Sequence, residues 1–101
     1  MNNDFPESQV FFGAYFHQDW LMEHDTADQV IDDFLKSSDK EILISVRSEL
    51  QTLISRGLNE MDLRALFLKE LKCYYCYWNE WASGEVWLRH IERKLNEKMA
   101  D

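Results

Sequence analysis

The sequence predicts an all-α fold: a compact single-domain bundle of about five helices spanning residues 1–101. Three observations lead there. Apolar residues recur at intervals of three and four along successive segments, the period of a buried helical stripe and not the alternation of a strand. Side chains suited to capping helices stand where those segments begin. Three glycines and one proline leave little material for the tight turns of an all-β chain. The apolar fraction of 46% also lies well above the composition of disordered chains.

The first helix is expected from Pro6 to about Gln18, with Pro6 and Glu7 suited to a first turn. Phe12, Phe16 and Trp20 recur every fourth residue, with Phe11 and Tyr15 beside them. Thr26 followed by Gln29 reads as a capping box for a second helix, whose apolar face is Val30, Ile31, Phe34 and Leu35. Ser38 with Glu41 reads as a second capping box, opening a helix striped by Ile42, Val46, Leu50, Leu53 and Ile54. That helix is expected to end near Arg56, with Gly57 as the left-handed residue beyond it. Asn59 can cap a fourth helix carrying Met61, Leu63, Leu66, Phe67 and Leu71. Ser83 can cap the last, from Gly84 to about Lys98, striped by Trp87, Leu88, Ile91 and Leu95.

The charge is placed unevenly. Nineteen acidic and eleven basic side chains give a formal −8. Residues 1–35 hold Asp4, Glu7, Asp19, Glu23, Asp25, Asp28, Asp32 and Asp33 with no lysine or arginine, and the rest of the chain sums to zero. Such a field disfavours direct contact with nucleic acid or anionic membranes and favours a cationic partner. It also serves solubility, and both readings stay open at this point. The apolar run 10-VFFGAYF-16 is far short of the roughly 20 residues that span a bilayer. The opening MNNDFPES has no secretory-signal character, so a cytoplasmic location is expected.

Catalytic and metal signals are weak. Cys73 and Cys76 form a CxxC pair without the second pair or histidines that a zinc site needs. On a helix the two thiols would share a face, and reduced, packed thiols are the expectation. His17, Asp19, His24 and Asp25 can be drawn as a metal cluster, but it lacks a third firm ligand. The glycines occur singly, so there is no phosphate loop, and no nucleophile–base pair stands out. No catalytic residue, metal or cofactor is assigned, and the chain is not expected to be an enzyme. The stretch 73-CYYCYWNEWASGEVW-87 is rich in tyrosine and tryptophan, which either fill helix junctions or anchor interfaces.

The run Tyr15-Phe16-His17-Gln18-Asp19-Trp20 resembles the opening signature of the immunity proteins of contact-dependent growth inhibition systems, the CdiI type. The resemblance continues through Val30, Ile31, Phe34 and Leu35, Glu49-Leu50, Tyr74-Tyr75, and Trp87-Leu88 with Ile91, covering about residues 11–95. After Trp20 the chain departs from the family form, which more often has a tyrosine and a glycine near His24-Asp25. The resemblance implies a stoichiometric inhibitor that binds a cognate CdiA-type C-terminal toxin domain as a 1:1 heterodimer. A cytoplasmic nuclease is the implied toxin, with ribonuclease favoured over DNase. A nuclease site is built to hold polyanions, so acidic side chains are its natural counterpart. Glu23, Asp25, Asp28, Asp32 and Asp33 are therefore the candidate toxin contacts. Tyr15, Phe16, His17, Gln18, Asp19 and Trp20 recur among relatives with different partners, so they are assigned to the fold: Tyr15, Phe16 and Trp20 to packing, His17 and Asp19 to local hydrogen bonding. The competing readings are a small helical adaptor for another basic protein and a metal-dependent enzyme using His17 and His24.

Overall fold

The computed structural model describes residues 5–100. Asp4 and the first half of the amino-terminal stretch read for signal character, residues 1–4, lie outside them. Six α-helices form: α1 (Pro6–Tyr15), α2 (Trp20–Glu23), α3 (Ala27–Ser37), α4 (Lys40–Ser55), α5 (Glu60–Ala65) and α6 (Gly84–Ala100). A π-helical turn, Leu66–Glu70, continues α5, and a 3-10 turn, Tyr77–Asn79, precedes α6. No strand occurs among the described residues. Helix α6 packs against α3, α4 and α5, while α1 packs against α3 and α4. The all-α expectation holds.

Helix α1 stops at Tyr15, short of the predicted Gln18. The cause is local. The His17 ring accepts the Asp19 N–H at Nδ1 (3.0 Å), drawing the chain into a turn. Trp20 N then donates to His17 O at 3.0 Å, and a short new helix, α2, begins. Phe16 and Trp20 remain buried on either side of this break. The start of α1 has no local cap. Instead Glu49 of α4 reaches across and accepts from the amides of Glu7 (3.2 Å) and Ser8 (2.8 Å). A carboxylate there meets both the unpaired amides and the positive end of the helix dipole.

The remaining caps follow the sequence closely, with corrections. Thr26 Oγ1 accepts from Gln29 N, while the Gln29 side chain accepts from Asp25 N, one residue before the reciprocal position of a capping box. Helix α4 is capped by Asp39, which accepts from Ile42 N (3.0 Å), and not by Ser38, whose own N–H closes the end of α3 on Phe34 O. On this helix Leu43 is buried, while Ile42, placed on the stripe from sequence, is 36% exposed. Gly57 takes the left-handed conformation expected of it (φ 62°), Asn59 caps α5, and Ser83 accepts from Val86 N at the start of α6. Met61, placed on the α5 stripe from sequence, is instead 70% exposed.

The chain leaves the helix after the π turn. Leu71 N donates to Leu66 O (3.0 Å), Cys73 N to Phe67 O (2.9 Å), and Lys72 adopts φ 56° between them. A residue in the left-handed region ends a helix because the next amide can no longer continue the ladder. Residues 73–76 are therefore not helical, and the two thiols do not share a helix face as they would on a continuous helix. Cys73, Tyr75 and Tyr77 point inward while Tyr74 and Cys76 point outward, the two-residue period of extended backbone. Both thiols are free, but only Cys73 is packed; its burial, partly offset by the Tyr75 N–H, pushes the thiol up to about 12.

The core is aromatic and centres on Trp87. Its ring lies 4.9–5.7 Å from those of Phe12, Phe16, Phe67, Tyr75 and Tyr77. Gly84 lets α6 approach this cluster. A methyl group there would sit 2.4 Å from Leu63 Cδ2 and 2.9 Å from the Tyr77 hydroxyl. Glu60 joins the same junction, accepting from Gly84 N (2.8 Å), the Tyr77 hydroxyl (2.8 Å) and Arg64 Nε (3.0 Å). Desolvation raises its pKa, but these hydrogen bonds and the Arg64 charge outweigh that, and the net shift is downward.

Two outcomes follow from these caps. Glu49→Ala removes both acceptors from the start of α1 and lowers unfolding stability by about 1–2 kcal/mol, read as an earlier urea midpoint with an unchanged slope. An unmoved midpoint would show that α1 does not rely on Glu49. For Glu60 the folded pKa lies below its ordinary 4.5, so its stabilising contribution is present above that value and lost as pH falls through the folded pKa. Glu60→Gln therefore costs stability at neutral pH, and the difference from the natural chain narrows in urea titrations below about pH 4; a constant difference would rule out the charged form as the cause.

Candidate functional site

Helices α2 and α3 and the link between them carry the five candidate contact residues. The apolar side of α3 (Ala27, Val30, Ile31, Phe34 and Leu35) is buried against the core. Asp32 and Asp33 are consequently exposed, and Asp28 is half-buried towards α6. Glu23 ends α2, and Asp25 stands in the link to α3; both are exposed.

Four of the five carboxylates have partners within the chain. Glu23 meets His17 Nε2 at 2.7 Å, Asp28 meets His90 Nε2 at 2.9 Å, Asp33 meets His24 Nε2, and Asp32 meets Lys94 Nζ at 2.9 Å. Neighbours fix the roles of two of these rings. His17 Nδ1 accepts from Asp19 N, and His90 Nδ1 accepts from Arg93, which can only donate. In both rings Nε2 therefore carries the hydrogen and donates to the carboxylate. A neutral imidazole donor orients Glu23 and Asp28 without cancelling their charge. Lys94 does oppose the charge on Asp32, and Lys36 lines the same cleft as Glu23 and Asp33. The flank that carries no lysine or arginine in sequence as far as Leu35 is thus partly balanced by cations that α6 and the end of α3 bring to it. Asp25 differs from the other four. Its amide donates to Gln29, but its carboxylate has no cationic partner among the described residues.

Two concavities flank α2. The first, about 570 Å³, is lined by Tyr15, Glu23, His24, Asp33 and Lys36, four of them carboxylate, imidazole or ammonium side chains. The second, about 410 Å³, lies between α2 and the extended segment 73–76. Trp20 and Tyr75 form its floor, their rings edge to face at 5.4 Å. Leu21 and Tyr74, 65% and 56% exposed, form its walls, and Asp25 and Glu80 stand on its rim. Glu80 accepts a hydrogen bond from the Tyr75 hydroxyl, and burial followed by this carboxylate raises the Tyr75 phenol well above the ordinary tyrosine range. Tyr74 N donates to Phe16 O (2.8 Å), fixing one wall to the α1–α2 turn.

The signature residues divide differently. Phe16 and Trp20 are buried; Tyr15 is half-buried with its ring 5.4 Å from Phe34. His17 makes the turn described above, while Gln18 and Asp19 are exposed. The four residues once drawn as a metal cluster do not converge, since His17 and His24 each turn to a carboxylate of their own. No group of three histidine, cysteine, aspartate or glutamate side chains able to hold a metal ion occurs among the described residues. No helix among them is long and apolar enough to cross a membrane.

Sequence reasoning did not single out Leu21, which lies beyond the predicted end of the first helix, and singled out Tyr74 only as part of the aromatic stretch 73–87. With Trp20 beginning a separate short helix and 73–76 extended, both side chains face the notch.

Comparison with known proteins addresses the same architecture. The fold matches a chain in the crystal structure of a CdiA-CT/CdiI complex from Y. kristensenii 33638, with 29% sequence identity and a TM-score of 0.89. The match covers 95% of this chain and 97% of that one. Among curated proteins none matches. The family model described as CdiI immunity protein matches residues 4–95, from the residue before the buried Phe5 to the last fully buried residue of α6, and the chain belongs to that family.

Proposed function

We propose that this chain neutralises a cognate toxin domain of the CdiA-CT class by forming a 1:1 complex with it in the cytoplasm, without catalysing a reaction. The observation that carries this reading is the similarity, over nearly the whole of both chains, to a protein crystallised within a CdiA-CT/CdiI complex. The toxin is a nuclease on this reading, with ribonuclease activity favoured. The support is chemical: the α2–α3 flank offers exposed carboxylates, some held by uncharged donors, and an enzyme that binds a polyanion presents the opposite charge.

The anionic flank acts mainly on encounter. Complementary fields raise association rates towards about 10⁸–10⁹ M⁻¹s⁻¹ at low salt, against roughly 10⁵–10⁶ without steering. Exposed ion pairs themselves contribute only about 0–1 kcal/mol each. Binding by occupancy is sufficient to keep the toxin from its substrate, and the partners need exchange no covalent bond.

Co-expression with the toxin domain encoded beside it gives a complex that survives size-exclusion chromatography, and an equimolar amount of this chain abolishes nuclease activity on RNA. Full toxin activity in the presence of excess chain would defeat the reading. Within it, the double variant Glu23→Lys, Asp33→Lys lowers the association rate by about tenfold or more at low salt, with the difference closing near 0.5 M salt as charges are screened. An unchanged rate would remove steering and leave neutralisation standing.

A further inference from the structure

We propose that the notch between α2 and residues 73–76 is the anchor that retains the toxin, taking an apolar side chain from it with a lysine or arginine alongside. The inference rests on the neutralising role above and assigns its slow-dissociation step to a particular place. Scattered apolar residues on a surface are ordinary, and Val10, Met61 and Leu68 are of that kind. Leu21 and Tyr74 are different because they wall one concavity over a buried aromatic floor. An entering aliphatic or aromatic side chain would meet Leu21, Tyr74 and the exposed edges of Trp20 and Tyr75.

The rim selects the charge of what enters. Asp25 and Glu80 are the charged residues lining the notch, and both are anionic. The Asp25 carboxylate has no cationic partner within the described chain, so an arriving cation displaces nothing. Glu80 is oriented by the Tyr75 hydroxyl. The occupant is therefore a segment of the cationic toxin in which an apolar residue is flanked by lysine or arginine.

The walls are also held in place before binding. Tyr74 is tied to Phe16 through its backbone, Cys73 N is bonded to Phe67 O, and Tyr75 is packed on Trp20 and Trp87. A preformed apolar seat loses little entropy on docking, and such seats carry most of the binding energy of an interface.

Two measurements on the full chain with an active-site-inactivated toxin domain test this. The variants Leu21→Ser and Tyr74→Ala alter exposed side chains, so folding is retained and is checked by circular dichroism. Combined, they accelerate dissociation by about 30-fold or more while association changes less than about threefold; Asp25→Asn alone accelerates dissociation by about tenfold. Cys76 supplies a second readout in the unmodified chain, since it is exposed and lines the notch while Cys73 is buried. Iodoacetamide labels Cys76 in the free chain, spares Cys73, and is slowed at Cys76 at least about tenfold in the complex. Tight toxin binding by the natural chain, with unchanged dissociation of the variants and undiminished labelling of Cys76, overturns the anchor and leaves the neutralising role intact. A natural chain that does not bind toxin overturns both. Protection of Cys76 that grows with chain concentration in the absence of toxin assigns the notch to a second copy of this chain and likewise overturns the proposal.

Discussion

The packing of Trp87 is the constraint on which the rest of the molecule depends. The indole belongs to α6, yet the rings against it come from α1, the turn after α1, the π turn and the extended segment. Its Nε1 is buried and finds no acceptor among the described residues. An unsatisfied buried donor costs about 1–3 kcal/mol, so shape and ring contact hold the residue despite its polar group. Removing an indole from such a site costs about 3–5 kcal/mol in typical cores. Tyr75 transmits this order outward: its ring stacks on Phe16 and meets Trp87 and Trp20 edge to face, and its hydroxyl reaches Glu80.

That arrangement explains why the hexapeptide signature belongs mainly to the fold. Phe16 and Trp20 need to reach the same cluster, although their spacing no longer lies on one continuous helix. The His17–Asp19 turn shifts the chain direction and restarts it, so that both rings enter the core while Leu21, one step on, faces out. A local hydrogen bond and an aromatic cluster thus jointly determine which side chain is left at the surface.

The helices were legible in sequence wherever apolar period and cap coincided. The buried stripes of α3 and α6, the Thr26, Asn59 and Ser83 caps and the left-handed Gly57 all follow from local chemistry. The failures occurred where a distant residue decides a local outcome. Glu49 caps α1 from another helix, and nothing near Pro6 announces it. Asp39 caps α4 where Ser38 was expected, and Ser38 instead ends α3 through its N–H to Phe34 O. Residues 73–76 are all apolar or aromatic, so the in–out alternation that marks extended chain is invisible in hydrophobicity and appears only in burial. Charge was legible as composition but not as a surface, because Lys94 lies more than sixty residues from Asp32 in sequence and pairs with it only in the folded chain.

On the proposed reading, the two parts of the flank serve different stages of recognition. Glu23 and Asp28 are held by imidazole donors, so their charge persists while their side chains are already ordered. Such groups project a field that a partner senses at a distance, within the Debye length of about 8–10 Å. They gain little on contact, because their hydrogen bonds are already made. The notch is the converse: nearly silent at long range, it offers apolar area and an unpartnered carboxylate that count only once water is expelled. Since affinity differences among related complexes reside mostly in dissociation, a surface that has to be both fast and tight benefits from keeping these tasks on neighbouring but separate residues. The α2 helix, four residues long, makes that separation: Glu23 turns to the polar cleft and Leu21 to the apolar one.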